Sequence, residues 1–290
     1  MIRRTFARGM ALLAFAQAAT AADDAVRVLD PLDDASAWTA LASDQVAASL
    51  RVAADGGGGR ALCLRFDFHG VSGYAAMRRP LAIDYPDHYR FEYRLRGDAP
   101  TNALQLKLID ASGDNVWWLN RPDVRFPRQW QAQRVRKREV AFAWGPATDR
   151  TLRHSAAIEF TISAGHGGRG EVCFDQLALR TLPAPPDPPP APRARATSSL
   201  AGAPAANAVD GDPATAWRSD PGRGSEQALT LDLGYAREFG GLVLHWHGGA
   251  FASRYDIELS DDGRDWRRVR RVVAGNGGDD PLYLPDSEAR

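Results

Sequence analysis

The stretch Pro183-Ala-Pro-Pro-Asp-Pro-Pro-Pro-Ala-Pro192 constrains the fold of this chain more than any other. Proline fixes its own φ and donates no backbone hydrogen bond, so such a run enters neither a helix nor a central strand. It is an extended spacer. A chain of 290 residues interrupted there is expected to form two bodies of ordinary domain size. A hydrophobic content of 44% suffices for packed cores and excludes a disordered chain.

Before the spacer, apolar residues recur with period two. Leu62, Leu64, Phe66 and Phe68 fall on one face of 61–68, and Phe91, Tyr93 and Leu95 on one face of 89–96. Leu104, Leu106 and Leu108 repeat the pattern, as do Ile158, Phe160 and Ile162. Breaks at Gly70, Pro86, Gly97, Gly113, Pro127, Gly145 and Gly165 arrive at the spacing of an antiparallel sandwich. No long amphipathic helix is evident, so the expected class is all-β, two β-sandwich modules. The outward Glu92, Arg94, Gln105, Lys107, Glu159 and Thr161 are expected to line one sheet face, most simply as a solvated ladder, the alternatives being a polar floor for a glycan or a docking face for a neighbouring domain.

Acidic and basic residues number 36 each, which gives no electrostatic reason to expect nucleic acid or anionic membrane as a partner. Arg3 and Arg4, the apolar 10–16 and Ala19-Thr-Ala21 read as an export signal over 1–22, by a Sec or twin-arginine route. The apolar run is too short to span a bilayer. The expected location is periplasmic or extracellular. Cys63 and Cys173 both lie opposite the apolar positions of their runs, so two alternatives stand: a cross-strand bridge, which an oxidising compartment permits, or two free thiols. No Gly-x-Ser-x-Gly, His-Glu-x-x-His or phosphate-cradling loop appears, so no catalytic constellation is expected within the chain.

Asp114-Asn115-Val-Trp117-Trp118-Leu-Asn120-Arg121 is the most unusual cluster before the spacer. On a strand, adjacent tryptophans face opposite sides, one able to pack inside while the other is outside. An exposed indole stacks on a sugar ring, and Asn115 or Arg121 beside it could bond hydroxyls. Burial of both tryptophans is the plain alternative. Trp144, in Phe142-Ala-Trp-Gly-Pro146, is expected to be a packed turn residue.

After the spacer, Ala206-Asn-Ala-Val-Asp-Gly-Asp-Pro-Ala-Thr-Ala-Trp217 places Asp210, Asp212 and Thr215 around Gly211. Such a loop suits a hard cation that takes oxygen ligands, although Asp and Gly also dominate ordinary polar turns. Tyr255-Asp-Ile-Glu-Leu-Ser-Asp-Asp-Gly-Arg-Asp-Trp266 alternates and then turns. Together these stretches resemble the discoidin, or coagulation factor 5/8 type C, domain and its bacterial relatives among carbohydrate-binding modules. The resemblance implies a galactose-binding-like sandwich over 196–290 and a calcium site formed by Asn207 (backbone oxygen), Asp210, Asp212 and Thr215. It also implies a ligand site in end loops, with His247, Phe251 and Arg254 around 248–250 and Arg218 after Trp217. The family's last strands are expected to follow position 290, so this module is expected to be incomplete. Residues 26–180 are similar, through Val28 to Trp38, Leu95 to Asp98 and Val172 to Leu179, to jelly-roll carbohydrate-binding modules of the cellulose- and mixed-glucan-binding kind. The spacer and its flanks, 181–195, join the two.

The expectation is an exported, non-catalytic glycan-binding protein, with polysaccharide as partner, calcium as a structural ion, and neither nucleic acid nor membrane insertion. The alternatives are the accessory region of a longer secreted glycoside hydrolase, with its catalytic domain beyond the C-terminus, or a protein-adhesion module.

Overall fold

The structure, a computed structural model, describes residues 25–54 and 59–290, so the export signal expected at 1–22 lies outside the described residues. The chain divides into two compact units, Met1–Ala184 and Pro185–Arg290. Among the described residues, regular structure is strand, with three short 3-10 turns and no α-helix.

The first unit contains β1 (Val26–Asp30), β2 (Thr39–Ala42), β3 (Ala47–Ala54), β4 (Arg60–Asp67), β5 (Tyr74–Asp84) and β6 (Tyr89–Asp98). It continues with β7 (Asn102–Ile109), β8 (Val116–Val124), β9 (Gln131–Arg136), β10 (Ala141–Trp144), β11 (His154–Ser163) and β12 (Arg169–Thr181). These strands form two antiparallel sheets. The first runs β3-β4-β12-β6-β9, with β1 also on β12; the second runs β10-β8-β7-β11-β5-β2.

The period-two pattern decides which side of each strand meets the other sheet. Leu62, Leu64, Phe91, Leu95 and Phe174 of the first sheet pack against Leu104, Leu106, Leu108, Ile158 and Phe160 of the second, all at most 1% exposed. The Phe160 and Phe174 ring centroids lie 4.3 Å apart across the core. Each such side chain, moved from water to the interior, stabilises the fold by about 1.5–3 kcal/mol before chain entropy is subtracted.

Cys63 and Cys173 are directly opposite on β4 and β12 and form a disulfide. The bridge therefore occurs, on the outward side of the first sheet, beneath longer side chains that leave the two residues 0% and 2% exposed. The polar residues expected on a single face divide between two. Glu92 and Arg94 are on the first sheet, whereas Gln105, Lys107, Glu159 and Thr161 are on the second. Period two assigns a side of a strand but not the sheet to which the strand belongs.

The second unit contains β13 (Arg193–Ala196), β14 (Leu229–Asp232), β15 (Arg237–His245), β16 (Tyr255–Leu259), β17 (Arg267–Val272) and β18 (Asp279–Ala289). They pair antiparallel as β13-β14, β15-β18 and β16-β17. The interior is thin: Leu259, Leu282 and Leu284 are each 8% exposed, while Trp266 is 45% exposed. Trp217 donates from Nε1 to the Ser198 carbonyl at 3.0 Å, and Trp246 from Nε1 to Asp280 Oδ2 at 2.8 Å.

Candidate functional site: an aromatic face on the second sheet

On the outward side of the second sheet, register aligns Trp118, Lys107, Glu159 and Arg78 across β8, β7, β11 and β5. Asn120, Gln105 and Thr161 form the adjacent row. Glu159 is 1% exposed although it points away from the core. Its Oε1 accepts from Lys107 Nζ at 2.9 Å and Thr161 Oγ1 at 2.6 Å, and its Oε2 accepts from Arg78 Nε at 2.7 Å. Burial pushes this carboxyl upward. The Lys107 charge, the two hydrogen bonds and Arg78 outweigh it and hold the group below the ordinary carboxylate range. Gln105 Nε2 donates to Asn120 Oδ1 at 3.3 Å. The floor is thus polar, internally satisfied and fixed in place.

Three aromatic side chains stand on that floor. Trp118 and Trp144 meet edge to face, their centroids 5.5 Å apart. Lys107 Nζ lies 5.4 Å from the Tyr74 ring and 5.9 Å from the Trp144 ring. Tyr74 is 38% and Trp144 47% exposed, so both keep ring surface in solvent. Flat apolar rings flanking a cation and amide groups can stack on the ring faces of a saturated polyol and bond its hydroxyls. Nothing in this arrangement activates a nucleophile or relays a proton. A separate open hollow of about 330 Å³, lined by Arg27, Asp84, Tyr85, Pro86, Leu179 and Thr181, contains none of these aromatic residues.

Of the four candidates singled out before the spacer, one lies on this face. Trp118 does. Trp117 points into the core, 6% exposed, packs edge-on to Phe142 and donates from Nε1 to the Arg150 carbonyl at 2.6 Å. Asn115 staples a turn: Nδ2 donates to Asp110 Oδ2 at 2.7 Å, and Oδ1 accepts from the Ala147 amide at 2.8 Å. Arg121 reaches Gln133 at 3.2 Å and Glu139 at 3.0 Å, which ties β8 to the segment around β9.

Trp144 corrects the expectation of a packed turn residue. It ends β10 and faces solvent. Strict alternation places it beside Phe142 on the inner side. The register shift between Phe142 and Trp144 instead sets it opposite Val116, on the side of Trp118. A bulge reverses the side on which later residues fall, and no composition signal marks this one. Tyr74 was missed because it opens β5 just after a turn, before any alternation begins.

In the second unit, the loop at 207–215 folds on itself. Asp210 Oδ1 accepts from the Asp212 amide at 2.9 Å, and its Oδ2 accepts from Thr215 Oγ1 at 2.7 Å. Thr215 Oγ1 is also 3.2 Å from the Asp212 carbonyl oxygen. Asp212 Oδ1 accepts from the Ala214 amide at 2.9 Å, and Asn207 Nδ2 donates to the Ala216 carbonyl at 3.3 Å. Gly211 sits at φ +79°, where a side chain is strained, so the tight turn requires glycine. The Asp212 amide, and then the Thr215 hydroxyl, hold Asp210 below its ordinary range. An ionised carboxylate, a hydroxyl and a carbonyl converging within about 3 Å are hard donors that fit calcium chemistry.

The four ligand candidates of this unit are all exposed. Arg218 exchanges backbone bonds with Leu200 and Ala203. His247 and Arg254 lie in the segment between β15 and β16. Phe251, 42% exposed, lies against Gly277, where an added Cβ would meet Phe251 Cδ1 at 2.7 Å.

No curated protein matches the chain. Among solved structures, the chain is similar to the family 11 carbohydrate-binding module of the cellulosomal cellulase Lic26A-Cel5E of Clostridium thermocellum. The TM-score is 0.45 at 14% identity, covering 55% of this chain and 95% of that one. It is also similar to the Clostridium thermocellum family 11 module in complex with a β-1,3-1,4-mixed-linked tetrasaccharide, with TM-score 0.44, 15% identity, and 53% and 94% covered. For an exo-β-agarase the TM-score is 0.39 at 12% identity, with 55% of this chain and 26% of that chain covered. Residues 193–284 match the family model of the F5/8 type C domain.

Proposed function

We propose that the chain is an exported, non-catalytic glycan-binding protein whose first unit takes a neutral polysaccharide on the outward face of its second sheet. The observation that carries this is the aromatic set Tyr74, Trp118 and Trp144 grouped around Lys107 above a saturated polar floor. The solved Clostridium thermocellum module holds a mixed-linked β-glucan fragment, which makes that polymer the first ligand to try. A disulfide between β4 and β12 is in keeping with an oxidising compartment. Calcium would be held in the second unit by Asp210, Thr215 and neighbouring carbonyl oxygens, where it would pin the loop without touching glycan.

Affinity electrophoresis in gels containing mixed-linkage β-glucan tests the first unit. The wild-type chain should be retarded, and Trp144→Ala and Trp118→Ala should each weaken retardation by about tenfold, the effect of losing 1–2 kcal/mol of stacking. Retardation unchanged in both variants would remove this face from the proposal.

A further inference from the structure

The outward side of the first sheet, opposite the aromatic face, carries a different chemistry. Register sets Arg51, Cys63, Cys173 and Arg96 side by side across β3, β4, β12 and β6. Arg65 and Glu171 stand in the adjacent row. Glu171 is gripped twice: Arg51 donates from Nε at 3.0 Å and from Nη2 at 2.6 Å, and Arg65 from Nε at 2.7 Å. Above all the Arg51 hydrogen bond holds Glu171 below the ordinary carboxylate range. Arg96 and Arg94 lie over the Trp130 ring at 4.8 and 5.0 Å from its centroid. Arg94 is paired with Asp175 at 2.9 Å, whereas Arg96 makes no ion pair among the described residues.

We propose that this face is a second binding surface, for a polysaccharide bearing uronate carboxylates. The grip on Glu171 shows what the face accepts, because guanidinium forks match the two oxygens of a carboxylate. Arg51 and Arg65 share the carboxylate of Glu171, Asp98 beside Glu171 is taken up by Arg128 at 2.9 Å, and Arg96 has no carboxylate partner among the described residues, which leaves an excess of positive charge. Arg51 and Arg65 side chains remain 42% and 57% exposed, so outward N–H donors stay available. Exposed ion pairs of this kind contribute little, and exchanging a partner costs little. Stacking on Trp130 orders Arg96 before any ligand arrives. The disulfide fixes β4 against β12, and with them the spacing of the arginines over three strand intervals, roughly 14 Å. A sheet face with spaced cations suits an extended polymer with repeated carboxylates. The surface stands on its own residues and does not depend on the aromatic face.

Affinity electrophoresis against polygalacturonate, dextran sulfate, duplex DNA and mixed-linkage glucan tests it. Polygalacturonate should retard the chain, and 0.5 M salt should abolish the effect by screening. The double variant Arg65→Gln/Arg96→Gln should lose roughly fivefold to tenfold in affinity for polygalacturonate, and Trp144→Ala should lose nothing. Arg51 keeps Glu171 paired in the double variant, so its melting temperature should match the wild type. If it does not, Arg96→Lys, which keeps the charge but removes the fork, should still weaken polygalacturonate binding. No retardation by polygalacturonate, equal retardation of wild type and double variant, or equal retardation by dextran sulfate or DNA would overturn the proposal.

Discussion

Trp117 and Trp118 are neighbours in sequence and lie on opposite sides of the second sheet. The first packs against Phe142 and bonds the Arg150 carbonyl, and the second, half-buried, meets Trp144 on the outward face. Glu159 shows the same economy of placement. It points outward yet is buried, and its ionised form is favoured by Lys107, Thr161 and Arg78. A carboxylate whose folded pKa is depressed stabilises the fold above its unfolded pKa, near 4.5 here, and that contribution is lost as pH falls through the lower, folded value. Glu159→Gln should therefore cost roughly 3 kcal/mol at pH 7, because it leaves Lys107 and Arg78 facing a neutral amide. The difference between variant and wild type should shrink below pH 4.5. Urea midpoints measured from pH 3 to 7 check both; a constant difference across that range would contradict the account.

At the scale of elements, the bulge in β10 and the bridge between β4 and β12 matter most. The bulge turns Trp144 to the solvent side and so completes the aromatic face. The bridge closes a loop with a sequence separation of 110 residues between strands already paired in register. Loop-closure entropy alone assigns it about 4.8 kcal/mol, and measured effects of such bridges are commonly about 2–4 kcal/mol. Cys63→Ser/Cys173→Ser should lower the stability of the first unit by that amount. Denaturant unfolding of the double variant, followed through core tryptophan emission, provides the check. A loss under about 1 kcal/mol would mean that sheet pairing alone fixes the register.

At the scale of the whole chain, the two units differ in how much they bury. The first has a continuous core across two sheets, and the second has three strand pairs over a few leucines. Calorimetry should resolve two transitions, the lower one belonging to residues 185–290. Calcium should raise only the lower transition, since a ligand that binds the folded state stabilises it by mass action, and dithiothreitol should lower only the upper one. Asp210→Ala should erase the calcium shift. A calcium shift that survives in Asp210→Ala would exclude the 207–215 loop as the site.

Much of this is written into the chain directly. Period-two alternation assigns Leu62, Phe91, Leu104 and Phe160 to the interior, because a pleated strand has only two sides and water excludes the apolar one. The turn chemistry of Asp210-Gly-Asp212 is local, so its loop is equally legible. Proline denies the 183–192 segment a place in any sheet interior. What required the tertiary structure is whatever depends on which strands become neighbours. Cys63 meets Cys173 only because β4 pairs with β12. The polar residues separate onto two faces only because β6 and β7 enter different sheets. Trp144 joins Trp118 only because one register shift reverses its side. Pairing across long separations is chosen by the summed burial of both sheets, and no local window contains that sum.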